Sequence, residues 1–169
     1  MRIVTFRRNG IVQHGVRTGS TIRVHPGATS AVDLALQGAA SRATDEVALA
    51  EVELLAPIPR PGKIICIGLN YRAHAIEGGN PIPDYPAVFM RGGTSLTTPG
   101  GAILYPECSD KLDFEAELAV VIGRTATRVS KANALGHVAG YSCFNDGSVR
   151  DYQRKSTQWT MGKNFDGTG

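Results

Sequence analysis

Apolar and polar residues alternate through "RIVTFRR" (2–8) and "GIVQHGVRTGSTIRV" (10–24). This is the period-2 pattern of half-buried strands. Gly10, Gly15 and Gly19 read as turn positions, so the pattern predicts a small antiparallel meander. The period then changes. "SAVDLALQG" (30–38) predicts a short helix, with Ser30 as N-cap and Gly38 just past its end. "PIPRPGK" (57–63) holds three prolines in seven residues and reads as a linker. The chain therefore divides into a small N-terminal domain, 1–56, and a larger second domain, 57–169.

The second domain opens on a continuous apolar run, Ile64–Gly68, which predicts a buried strand. "NYRAHAIEGG" (70–79) predicts a helical turn closed by two glycines, and Pro81, Pro83 and Pro86 make 78–86 a loop. Further strands are expected at 87–91, 115–122 and 138–144, with a helical turn at 131–135 and a helix opening in "GSVRDYQRKS". Strands outnumber helices and the connections do not repeat as βαβ units. The expected fold is mixed α/β, rich in β, and not doubly wound.

Composition narrows the function classes. An apolar content of 42% suits a globular chain. The net charge of +3 comes from scattered lysines and arginines, which argues against a nucleic-acid groove. Cys66, Cys108 and Cys143 are odd in number and widely spaced, as expected in a reducing compartment and not in a disulfide framework or zinc site. With no apolar leader and no apolar run of 18 residues, the chain reads as cytoplasmic and without a membrane partner. Its end, "KNFDGTG", is loop-like straight after a motif-dense stretch and reads as a cut.

Four stretches carry candidate chemistry. In "LDFEAELAVVIG" (112–123), Glu115 and Glu117 stand two apart, on one side of a strand. An exposed strand face would tolerate them. In "GYSCFNDGSVRD" (140–151), Asp146 follows a second apolar strand, where an Asx turn or an N-cap would also account for it. Together, three carboxylates from two strands would make an oxygen-only site for Mg²⁺, Mn²⁺ or Ca²⁺. In "NYRAHAIE" (70–77), His74 and Glu77 are spaced to meet on a helical turn, either as a surface pair or as an oriented general base. The glycines and prolines that follow would let this turn move as a lid. Lys163, Arg150 and Gln153 in "SVRDYQRKSTQWTMGKNFD" (148–166) are candidates for binding a substrate carboxylate or an oxyanion, or for a solvated basic face. Trp159 reads as core, and His14, His25 and His137 carry no assigned role.

Taken in order, "PGKIICIGLNYRAHAIE", "LDFEAELAVVIG", "HVAGYSCFNDGSVRDYQ" and "QWTMGKNFD" resemble the fumarylacetoacetate hydrolase family over 57–169, and 1–56 resembles the small N-terminal domain of its bacterial members. The resemblance implies a mixed β-roll that continues past Lys163, so the second domain reads as its N-terminal part. It implies a divalent metal, Mg²⁺ or Mn²⁺, on Glu115, Glu117 and Asp146. It further implies a water-activating dyad of His74 and Glu77, a catalytic Lys163, and Arg150 and Gln153 beside the substrate. The activity it implies is hydrolysis of a carbon–carbon bond in a 1,3-diketo or 2-keto acid, through a metal-bound enolate. The alternatives are a decarboxylase or keto–enol isomerase on the same site, or an inactive fragment. A small keto-acid substrate and a homodimer complete the expectation.

Overall fold

The computed structural model describes residues 1–38 and 42–169 and resolves two compact units. The first comprises residues 1–59, 98–102 and 116–144; the second comprises 60–97, 103–115 and 145–169.

The first unit contains the expected meander, enlarged by two strands. β1 (Ile3–Arg8), β2 (Ile11–Thr18), β3 (Thr21–Val24), β4 (Asp45–Ala48) and β5 (Glu53–Leu55) form one sheet in the order β4-β3-β2-β1-β5. Neighbouring strands run antiparallel. Alternation sorts the side chains to two faces. Phe6, Ile22, Val24 and Val47 cluster with Val4 and Leu54, while Val16 packs with Ala28 and Leu34, the last from α1 (Ala31–Gln37). The helix starts where expected: Ser30 Oγ accepts a hydrogen bond from the Asp33 amide at 3.0 Å. Gly10 and Gly19 are turn residues with positive φ. Gly15 is not a turn. It lies inside β2, where a Cβ would fall 2.5 Å from the Arg23 carbonyl oxygen, so glycine is needed for close approach to β3.

The same unit holds β9 (Ala116–Ile122) and all but the last residue of β10 (Val138–Asn145), paired as a two-stranded sheet and joined through a 3₁₀ segment, Lys131–His137. Leu118, Val120 and Ile122 are exposed along β9, alternating with half-buried Ala119 and Val121.

In the second unit, β6 (Ile64–Gly68) pairs antiparallel with β7 (Ala87–Arg91), setting Ile64 opposite Arg91 and Cys66 opposite Phe89. β6 is not the fully buried strand that its apolar run suggests. Cys66 is buried, but Ile65 and Ile67 are 59% and 39% exposed, because the described residues cover only one face of this ribbon. A short ladder joins β8 (Leu112–Asp113) to β11 (Ser148–Val149). Three short helices complete the unit: α2 (Arg72–Glu77), α3 (Arg150–Gln153) and α4 (Thr160–Lys163). Trp159 is half-buried with its ring edge-on to Phe89, the centroids 5.9 Å apart, as expected of a packing residue. A Cβ on Gly68 would overlap the Trp159 ring, so the glycine makes room for the indole.

Candidate metal site

Glu115 precedes β9, and a pair of hydrogen bonds fixes its backbone against the turn that carries Asp146. The Glu115 amide donates to Asn145 Oδ1 at 3.0 Å, and the Asp146 amide donates to the Glu115 carbonyl at 2.9 Å. The asparagine before Asp146 is thus a backbone clamp, a role its sequence context does not advertise. Gly147 follows because nothing larger fits: a Cβ there would overlap the Thr168 carbonyl oxygen.

Lys163, at the end of α4, brings the two carboxylates together. Its Nζ donates to Glu115 Oε2 at 2.8 Å and to Asp146 Oδ2 at 2.7 Å. Phe89 lies on another side of the ammonium, with the ring centroid 5.2 Å away. Arg150 takes the other oxygen of Glu115 and also donates to Asp113 Oδ2 at 3.0 Å and to Gln153 Oε1 at 3.0 Å. Ser148 Oγ adds a bond to Glu115 Oε1 at 3.2 Å. Arg91 donates to Asp146 Oδ1 at 2.6 Å. Arg91, Arg150 and Lys163 therefore satisfy the buried carboxylates from three directions, as a partly dehydrated charge cluster requires.

This surrounding sets the Glu115 carboxyl. Burial pushes its pKa up, but the hydrogen bonds and charges of Lys163 and then Arg150 outweigh that and hold it below the usual carboxylate range. Burial likewise opposes the charge on Arg150, and Asp113 and Glu115 reverse the balance and raise its pKa.

Glu117 comes two residues after Glu115, the second residue of β9. Glu115, Glu117 and Asp146 each offer a carboxylate oxygen, all within 4.8 Å of one another. The donor set is oxygen throughout, without thiolate or imidazole. That chemistry fits a hard divalent cation such as Mg²⁺ or Mn²⁺.

The other expected residues are placed differently. His74 and Glu77 lie on α2, where only Ala75 is buried. Both are exposed, and no hydrogen bond or ion pair between them is found among the described residues. Gln153 is bonded to Arg150. Arg91 was missed by sequence reasoning, although it carried a signal. A cation at i+2 from Phe89 on an apolar strand points to the buried side of that strand and demands a carboxylate.

The fold and this cluster define a family of enzymes. Residues 63–169 match the fumarylacetoacetate (FAA) hydrolase C-terminal family and residues 1–57 match the Rv2993c-like N-terminal family. The chain belongs to the fumarylacetoacetate hydrolase family. Over 124 residues it is 48% identical to oxaloacetate tautomerase YisK of Bacillus subtilis, a match that covers 71% of this chain and 41% of the relative. The human mitochondrial oxaloacetate tautomerase FAHD2A is 41% identical over 118 residues, covering 69% of this chain and 38% of that protein. The crystal structure of 5-carboxymethyl-2-hydroxymuconate delta-isomerase from Mycobacterium smegmatis superposes with a TM-score of 0.81 at 31% identity, covering 99% of this chain and 63% of that one. The chain thus spans about two fifths of the length of these curated relatives.

Proposed function

We infer that the protein catalyses the interconversion of keto and enol forms of a small 2-oxo dicarboxylic acid of the oxaloacetate type, with a divalent metal. The observation that carries this reading is the buried Lys163 ammonium, bonded to Glu115 and Asp146 at 2.8 and 2.7 Å. Glu115, Glu117 and Asp146 would hold the ion, and a bound Mg²⁺ or Mn²⁺ would supply a Lewis acid to the substrate's oxygens.

Tautomerisation asks for little more. The enol loses its O–H proton and gains a proton at carbon, so the site must offer a cation near the oxygen and a proton carrier. Of the cations that meet these carboxylates, Lys163 is the one bonded to both Glu115 and Asp146. Arg150 holds Glu115 in place, and Gln153 steadies Arg150. Hydrolysis of a carbon–carbon bond asks for an activated water as well, and hence for the His74–Glu77 dyad in working contact. The two side chains are exposed and carry no mutual hydrogen bond among the described residues. The names of the tautomerase and isomerase relatives favour the same choice over hydrolysis.

The test follows the ultraviolet absorbance of enol-oxaloacetate as it decays to the keto form, with Mg²⁺, with Mn²⁺ and with EDTA. Acylpyruvate cleavage is assayed in parallel. Metal-dependent acceleration of the decay supports the reading, whereas acylpyruvate cleavage without such acceleration would overturn it. A homodimer is part of this proposal, and gel filtration with light scattering checks it. No helix among the described residues is long and apolar enough to cross a membrane.

A further inference from the structure

We propose that Arg91 is a positioning residue that fixes which oxygen of Asp146 is presented to a divalent ion. The inference rests on the metal reading above. Arg91 lies at the end of β7, with its side chain fully shut off from solvent, and it meets the candidate donor set at Asp146.

The guanidinium is held from several sides at once. Nη1 donates to Asp146 Oδ1 at 2.6 Å and to the Gly147 carbonyl at 2.9 Å. Nε donates to Ser95 Oγ at 3.1 Å, and Nη2 donates to Thr168 Oγ1 at 3.0 Å. Neither hydroxyl is free to turn. Ser95 gives its own proton to the Gly92 carbonyl at 2.8 Å, and Thr168 gives its own to the Phe165 carbonyl at 2.7 Å. Each therefore faces Arg91 only as an acceptor. Gly169 closes over the group, where a Cβ would sit 2.6 Å from Nη2.

A guanidinium locked in this way has one orientation, and Asp146 inherits it. Oδ1 is anchored by Arg91, and Oδ2 is turned to Lys163 at 2.7 Å. Lysine at position 91 would bring its N–H donors from a single point and could not reproduce a planar fork with four acceptors. Phe89, two residues earlier on the same side of β7, lies against Lys163. One strand thereby sets both the aspartate and the ammonium.

The experiment compares the full chain as wild type, R91K, R91Q, D146N and R91Q/D146N. Mn²⁺ binding is read from the electron paramagnetic resonance signal of the free ion, and each protein is also melted. We expect R91K to melt cooperatively and to bind Mn²⁺ roughly 10–100-fold more weakly, as loss of a group orienting a metal ligand does. R91Q serves in its place if R91K does not fold. In the D146N background, R91Q should weaken Mn²⁺ binding no further and lower the melting point less than it does in the wild type. R91K binding Mn²⁺ within about twofold of wild type, or independent losses in the double variant, would overturn the proposal. A wild type that binds no Mn²⁺ removes the metal reading instead, and the melting cycle then still decides whether Arg91 acts through Asp146.

Discussion

Lys163 Nζ stands 2.7 Å from Asp146 Oδ2, with the two side chains only 2% and 1% exposed. Removing one partner of a buried ion pair strands the other, which costs about 3–5 kcal/mol. Asp146 keeps Arg91 in Lys163→Met, so the loss is expected near the lower end of that range. Urea denaturation measures it directly. A variant as stable as the wild type would show that Lys163 contributes no net stability to the cluster.

Metal binding and proton handling should separate by mutation. Glu117→Gln removes one carboxylate from the candidate donor set, so Mn²⁺ affinity should fall at least about tenfold. His74→Ala, on the exposed face of α2, should leave Mn²⁺ affinity unchanged. Calorimetric titration of both variants checks the pair. If His74→Ala loses metal as badly as Glu117→Gln, then His74 is a ligand and the donor set must be redrawn.

The N-terminal unit should lose stability in mild acid. His14 is buried in β2, its Nδ1 3.0 Å from Thr5 Oγ1. Burial lowers its pKa, against weaker opposing effects from the Thr29 backbone and Asp33. His25 is lowered too, by burial and by the charge of Arg23. A histidine whose folded pKa is depressed binds its proton more readily when unfolded. Stability from this source is full above the unfolded pKa of about 6.5 and declines as pH falls towards the lower folded value. The urea midpoint should therefore drop between pH 7.5 and 5.5, and His14→Gln should flatten that slope.

Gly147→Ala should destabilise the second unit by about 1–3 kcal/mol, the usual cost of forcing a methyl group into a filled space. The new Cβ would overlap the Thr168 carbonyl, beside the Gly147 carbonyl that accepts from Arg91. Thermal melting gives the size of the effect. Gly136→Ala is the control, because a Cβ at that position meets nothing within 4 Å.

The sequence by itself determined the local elements and the chemical types at the site. Ser30 and Gly38 bracketed α1 because helix caps are local hydrogen-bond problems that a few residues solve. β7 ran over the expected 87–91, and β10 reached one residue past 138–144, because alternation and flanking turns specify a strand without distant partners. Glu115, Glu117 and Asp146 were legible as a hard donor set from residue type alone. Only the tertiary structure decided which cation meets which carboxylate. Position 91 contacts 146, and 163 contacts 115, across separations that no periodicity spans. The same holds for β6, whose apolar run fits a strand buried on both faces equally well. Exposure of Ile65 and Ile67 is settled by what packs against them, a property of the assembled chain and not of the run.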